Sequence, residues 1–322
     1  MEKYIYLDWN VIKYIKKPRE NNLENDILFK EIVNSLSKKY RFPFCEAHLK
    51  DLTNGYNEET KKYVDDDLKF LNQISNKKAI GINDKGGFKI VEYDSQILFK
   101  EIISEKNKEL DLTKINDPNG TFKVDMDKMD KDNPLYEKLK ENDGVYSPEL
   151  MKSFHKELYD KVFTEIDPYK DFRKYIPNVI EAIDKNETLT MNKHQEKIYE
   201  NIKPFINAIE NNNIETFEEN FWGIFEEFMS TTGHDVDKME IGEKITLAYS
   251  LLDFHPYFKE KITKKNKLSN MVRDSKHIYY AHKAKYFVTE DESTQEKTQF
   301  IYRVFNIDTA VVGINEFITK FS

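Results

Sequence analysis

The spacing of apolar residues changes twice along the chain, and each change predicts a different kind of structure. Lys3 to Leu7 is a short apolar run that stops at Asp8, which fits a buried strand with a carboxylate at its C-terminal end. Val11 to Lys17 predicts a short helix stopped before Pro18. Asn25 to Tyr40 predicts a longer one, with Ile27, Leu28, Ile32, Leu36 and Tyr40 at helical spacing. Arg41 to Phe44 is a second strand candidate, Glu46 to Leu52 a helix ending near Gly55, and Glu58 to Ile74 an amphipathic helix. Lys78 to Ile82 and Phe88 to Glu92 flank Asn83-Asp84-Lys85-Gly86-Gly87, the pattern of a β-hairpin.

From Ser95 the pattern becomes helix after helix. The first spans Ser95 to Asn107. Residues 108–146 are acidic and poor in apolar groups, which predicts a long loop. Ser147-Pro148-Glu149 is a helix start, with a capping residue, Pro in the first turn and then an acid. Helices are expected at 148–166, 168–185, 191–211, 214–231 and 237–254. The C-terminal stretch then alternates. Asp274 to Ala284 reads as a helix, Tyr286 to Thr289 as a strand, Thr294 to Phe305 as a helix, Ile307 to Val312 as a strand and Gly313 to Phe321 as a closing helix. Strands alternating with helices at both ends predict one parallel sheet built from both. The expected class is α/β: a parallel sheet flanked by helices, formed by 1–93 and 270–322, with a large helical insertion at 94–269.

Composition narrows the functions open to such a chain. The net charge of −8 means that no overall field draws in nucleic acid. A nucleic-acid partner would need a local basic patch or bridging cations. Cys45 is the single cysteine, which excludes an internal disulfide and a thiolate zinc cluster and fits a reducing compartment. No run approaches the roughly 18 apolar residues of a membrane span, and the N-terminus carries an acid and a lysine where a signal peptide would be apolar. The expectation is a cytoplasmic protein with no membrane partner.

Chemistry concentrates in carboxylates at the two ends of the chain. Ligand sites of open parallel sheets lie beyond the C-terminal strand ends. Asp8 and Asp291 each follow a predicted strand, and Asp274 opens the helix leading into the second one. Each has a plain alternative: Asp8 and Asp274 as helix caps, Glu290-Asp291-Glu292 as a solvated turn. Taken together they could converge. Carboxylates brought together repel one another unless cations intervene, and hard oxygen donors suit Mg²⁺ or Mn²⁺.

Tyr6-Leu7-Asp8-Trp9-Asn10 resembles the opening strand of the PIN-domain nucleases, with its metal-binding Asp and the Asn two residues on. Phe42 to Leu52 is similar to that family's second strand and the helix bearing its second acid; Asp51-Leu52 with Gly55 matches the register, with Glu46 as the fallback. Asp274 to Ala281 and Phe287-Val288-Thr289-Glu290-Asp291 resemble the third and fourth elements, and Ile307 to Phe317 the last strand and helix. The resemblance covers about 1–55 and 270–322 and leaves out the helical middle. It departs from the family in having Asp where Glu is usual for the second acid, and in the length of the insertion.

The resemblance implies a PIN-like fold and metal-dependent phosphodiester hydrolysis, with RNA favoured over DNA. Asp8, Asp274 and Asp291 would hold one or two Mg²⁺ or Mn²⁺ ions and Asp51 would complete the set. Asn10 and Thr289 would orient acids or water. His277, three residues after Asp274 on the same helical face, could orient a carboxylate or touch phosphate; Lys297, in the first turns after Asp291, could reach phosphate. For both the plainer reading is the favoured one: a packed or solvent-bonded histidine and an exposed helix lysine. Similar proteins serve as toxins in toxin–antitoxin pairs or as defence effectors, which implies an inhibitory or regulatory protein partner. A non-catalytic binding protein on the same fold and a phosphohydrolase of small nucleotides are the alternatives.

Other features carry less. Val124 to Asn133 fails the calcium-loop pattern, with Asp130 where Gly is needed. Phe217, Phe221, Trp222, Phe225 and Phe228 fall at helical spacing and are expected in a core. Lys259 to Lys267 is a basic run leading up to Asp274.

Overall fold

The computed structural model describes residues 3–53, 55–82, 87–106, 213–231, 235–259 and 268–322, with short pieces between 122 and 146 and residue 170. Three short strands form its centre: β1 (Ile5–Leu7), near the N-terminus, and two near the C-terminus that join it in one parallel sheet. Tyr286–Val288 lies beside β1 in the register Ile5↔Tyr286 to Leu7↔Val288, and Ala310–Val312 lies beside Tyr286–Val288 in turn. On the other side of β1, residues 41–44 act as a narrow link. Arg41 bridges to Tyr4 and Phe44 bridges to Ala79, both in parallel sense. Ala79 belongs to β2 (Lys78–Ile82), which pairs antiparallel with β3 (Phe88–Glu92) in the expected hairpin. Two-residue strands β4 (Phe122–Lys123) and β5 (Val145–Tyr146) pair with each other, so the C-terminal strands are β6 (Tyr286–Val288) and β7 (Ala310–Val312).

Strands in such a sheet are apolar on both faces because helices cover both. Here the alternation is clean. Ile5, Leu7, Val288 and Val312 point into one core, with α1 (Trp9–Lys16), α2 (Leu23–Leu36), α3 (Glu46–Thr53), α4 (Lys61–Ser75), α5 (Ser95–Lys106) and the C-terminal helix 314–321. Tyr4, Tyr6, Phe287 and Val311 point into the other, with helices from residue 214 onward. After α6 (Tyr136–Glu141), those are α7 (Ile214–Thr231), α8 (Ile241–Leu252), α9 (Leu268–Ala281) and α10 (Glu292–Val304); α11 (Ile314–Phe321) closes the chain. Gly55, just past α3, has φ +76°, a left-handed conformation that glycine adopts without steric cost.

Two expectations need correction, one on 108–146 and one on Asp274. Within the span 94–269 expected as an insertion, the described Phe217, Phe221, Phe225, Ile245, Ala248 and Tyr249 are buried in the same core as Tyr4, Tyr6 and Phe287. The sheet face needs a cover, and α7 and α8 supply it. Within 108–146, Tyr136–Glu141 is helical with Leu139 buried, and the two-residue strands β4 and β5 pair. Asp274 does not open its helix. α9 begins at Leu268, since no breaker separates Leu268 from Asp274, and the acid sits in its second turn. The helices expected at 148–166, 168–185 and 191–211 and the basic run Lys259 to Lys267 lie wholly or almost wholly outside the described residues. Among the described residues, no helix is long and apolar enough to cross a membrane.

Candidate functional site

The C-terminal ends of β1 and β6 lie side by side, and the residues that follow them start helices. Asp8 follows β1 and is the N-cap of α1; its Oδ1 accepts the Trp9 N–H at 2.7 Å. Asp291 follows β6 and is the N-cap of α10; its Oδ1 accepts the Thr294 N–H at 2.7 Å. Thr289, fully buried between them, donates its hydroxyl proton to Asp8 Oδ2 at 3.0 Å and accepts the Asp291 N–H at 3.3 Å. One threonine therefore ties both carboxylate-bearing turns to the strand end.

α9 brings in the third acid. Asp274 is raised well above the usual carboxylate range, first by burial and then by the negative charges of Asp8, Asp51 and Asp291, against the opposing pull of His277. Asp8 is also raised, by burial and by Asp51, although His277 and the hydrogen bonds from Thr289 and the Trp9 N–H oppose this. The four sequence-predicted acids thus share one electrostatic neighbourhood. The Asp274 carboxylate makes no hydrogen bond or ion pair among the described residues.

Asp51 is held differently. It lies on α3, where Arg273 Nε donates to its Oδ1 at 3.1 Å and His277 Nε2 to its Oδ2 at 2.9 Å. Burial pushes this carboxyl up, but His277 and Arg273 outweigh it and hold Asp51 below its ordinary range. Burial likewise pushes the His277 imidazole down, while Asp51, Asp8 and Asp274 outweigh it and hold the group up at about 9. His277 is therefore a buried imidazolium among carboxylates, with Nδ1 at 4.0 Å from Asp8 Oδ1. Glu46, the alternative second acid, is elsewhere, ion-paired with Lys50 one turn along α3.

No family model, characterised protein or solved structure matches the chain. What bears on function is this geometry.

Two accessory expectations fare differently from Thr289 and His277. Asn10 is half-buried on α1 and makes no hydrogen bond to the acids among the described residues. Lys297 does not face the site. It is fully buried, with Nζ 3.6 Å from Asp253 Oδ1 and 4.9 Å from the Tyr249 ring centroid, because its position on α10 points into the core shared with α8. Its place is in the core beside Asp253 and Tyr249 and not among the acids.

The donor set can be tested against a hard divalent cation. Asp274 and the outer oxygen of Asp291 are uncommitted carboxylate oxygens, the kind Mg²⁺ and Mn²⁺ prefer, and the crowding that raises Asp274 is what a cation would relieve. Among the described residues, no three His, Cys, Asp or Glu side chains stand in ligand geometry. Arg273 and His277 occupy Asp51, so by donor chemistry alone Asp8, Asp274 and Asp291 are the residues that would hold such an ion, and they would have to draw together to do so.

Sequence reasoning missed Tyr6, Cys45, His48 and Arg273. His48 is three residues before Asp51 on α3, and Tyr6 two residues before Asp8 on the same side of the strand, so the spacing carried a signal for both. Arg273 is adjacent to Asp274 and carried none.

Proposed function

We propose that this chain is a metal-dependent nuclease of PIN-like architecture that hydrolyses phosphodiester bonds, with RNA as the favoured substrate. What supports the reading is that Asp8 and Asp291, which follow adjacent parallel strands, both act electrostatically on Asp274 of α9. In this reading Asp8, Asp274 and Asp291 hold Mg²⁺ or Mn²⁺. The ion, when bound, supplies an activated water and neutralises charge on the phosphate. Thr289 orients Asp8 through its hydroxyl and fixes the turn that carries Asp291. His277 fixes Asp51 and offsets the negative charge of the cluster. The resemblance to PIN-domain nucleases extends the proposal to a toxin or defence role in the cytoplasm, restrained by a protein partner.

A second reading has its own observation. Asp51 is neutralised by Arg273 and His277, which suits a fold that keeps the acids as structure and binds a partner without catalysis. Cleavage of labelled single-stranded RNA and DNA with Mn²⁺, with and without EDTA, separates the two. Metal-dependent cutting by wild type, lost in Asp8→Asn, Asp274→Asn and Asp291→Asn, is the expected result. Cutting that survives all three substitutions, or an inert wild type, would overturn the nuclease reading and leave the non-catalytic one.

A further inference from the structure

The helices that carry the acids also line a second concavity. It has a volume of about 730 Å³ and lies among α3, α7, α8, α9 and β2. Asp8, Asp51, Asp274 and Asp291 are outside its lining, so it is separate from the candidate metal site, although both draw on α3 and α9. The volume falls in the roughly 300–1,000 Å³ range of small-molecule sites. Its walls are mainly apolar, formed by Ile82, Phe228, Met229, Leu247 and the rings of Tyr279 and Tyr280.

The aromatic wall is held in place from several sides. A Cβ on Gly242 would stand 2.5 Å from the Tyr279 ring, closer than non-bonded carbons approach, so glycine is what lets that ring lie against α8. His282 stacks on Tyr279, with centroids 5.4 Å apart and planes 12° apart, and Phe88 meets Tyr279 edge-on at 5.0 Å. Phe88 also stacks on Tyr280 at 5.8 Å. A wall fixed before anything binds lowers the ordering cost of binding.

Charge is divided between the two ends of the cavity. On the α3 side, Glu46 is ion-paired with Lys50 and accepts the Tyr280 hydroxyl proton at 3.5 Å, and Lys276 stands beside Lys50 and Glu46. That end has its carboxylate compensated. On the α8 side are Glu240 and Glu243, both exposed, and neither carboxylate makes a hydrogen bond or ion pair among the described residues. Burial, and then the charge of Glu240, raises the Tyr279 hydroxyl above its ordinary range, which puts that carboxylate beside the aromatic wall.

We propose that this cavity binds a small organic monocation, with an apolar body against Tyr279, Tyr280 and Leu247 and an ammonium group at Glu240 and Glu243. Carboxylates at the mouth of an apolar cleft concentrate cations, and a charge leaving water for such a cleft needs a counter-charge there. An anion would meet the two glutamates. A second positive charge at the far end of the ligand would meet Lys276.

The proposal does not rest on the metal-site reading, so its test uses the full chain in EDTA. Isothermal titration calorimetry at pH 7 compares three probes: tryptamine, which joins an indole ring to one ammonium; indole-3-propionate, which has the same ring and a carboxylate; and ethylammonium, the cation without the ring. Tryptamine should bind at one site, at least about tenfold more tightly than either of the others. In the double variant Glu240→Gln with Glu243→Gln, tryptamine affinity should fall by about tenfold, the effect of exchanging a charged partner for a neutral one, while indole-3-propionate binds no more weakly. Both glutamates are exposed, so the variant keeps its fold. Absence of tryptamine binding, equal binding of indole-3-propionate or ethylammonium, or unchanged tryptamine affinity in the double variant would each overturn the assignment.

Discussion

Lys297 offers the sharpest test of the structure, because its two possible roles predict opposite results. Its side chain is 1% exposed and that of Asp253 0%, with 3.6 Å between the charged atoms and the Tyr249 ring 4.9 Å away. Removing one member of a buried pair takes away part of what compensates the other charge, at a cost of up to roughly 3–5 kcal/mol. Lost cation–π attraction adds up to about 2 kcal/mol when the site is dry. Lys297→Met should therefore lower the urea midpoint by an amount on the order of 1 M, for a slope near about 3 kcal/mol per M. The double variant Lys297→Met with Asp253→Asn should recover much of the loss, since replacing both partners removes the buried charge as well as its counter-charge. Urea unfolding followed by circular dichroism, run as a double-mutant cycle, gives the coupling energy. A substrate-binding lysine would behave the other way: an unmoved midpoint and weaker nucleic-acid binding. An unmoved midpoint, or a double variant no more stable than Lys297→Met, would refute the buried-pair account.

Thr289→Val keeps the side-chain shape and removes a hydroxyl that bonds an acid and a backbone N–H, so stability should fall by about 1–3 kcal/mol. On the nuclease reading, cleavage falls with it, and Thr289→Ser should restore both. A variant as stable and active as wild type would remove Thr289 from the site. The pH dependence of stability in metal-free protein has a definite sign. His277 is held up at about 9 when folded, against an ordinary value of 6.5. The folded state then binds the extra proton between those values, so its contribution is complete below about pH 6.5 and is lost as the pH rises to about 9, at about 1.4 kcal/mol for each pH unit crossed. Urea midpoints for wild type should decline across that window while those for His277→Gln stay flatter; parallel profiles would count against a charged, acid-paired His277.

The strands are legible in the sequence because their apolar runs are short and end sharply. Leu7 to Asp8 and Val288 to Thr289 are abrupt changes from buried apolar to polar, and the hairpin is marked by its turn residues. What a single sequence does not reveal is which helices cover which face. The row Phe217, Phe221, Phe225 announces a buried face, but nothing in it says that the face meets Tyr6 and Phe287 from opposite ends of the chain. For the same reason Lys297 reads as solvent-facing. Its neighbours in sequence are polar, and its partner Asp253 lies on a different segment that the fold brings against it. Asp274 is displaced from its expected cap because helix starts are set by what precedes them, and Leu268 to Arg273 contains no breaker.

The acids at the strand ends show why capping and ligation are poor alternatives to weigh against each other. In a parallel sheet, the residue after a strand is where the next helix must start, and a carboxylate there satisfies an otherwise unpaired N–H. The same position opens onto the crevice at the strand ends. Asp8 and Asp291 accordingly cap α1 and α10 and at the same time lie near each other and Asp274. Each cap leaves carboxylate capacity over: Asp291 uses one oxygen for the Thr294 N–H, and Asp8 divides its two between the Trp9 N–H and Thr289. Local stability accounts for each acid alone. It does not account for Asp274, which sits in the second turn of α9 with no N–H to cap and is raised by burial and because its neighbours are also acids. An acid raised by burial and by its acidic neighbours is what capping leaves unexplained and what the proposed cation site would account for.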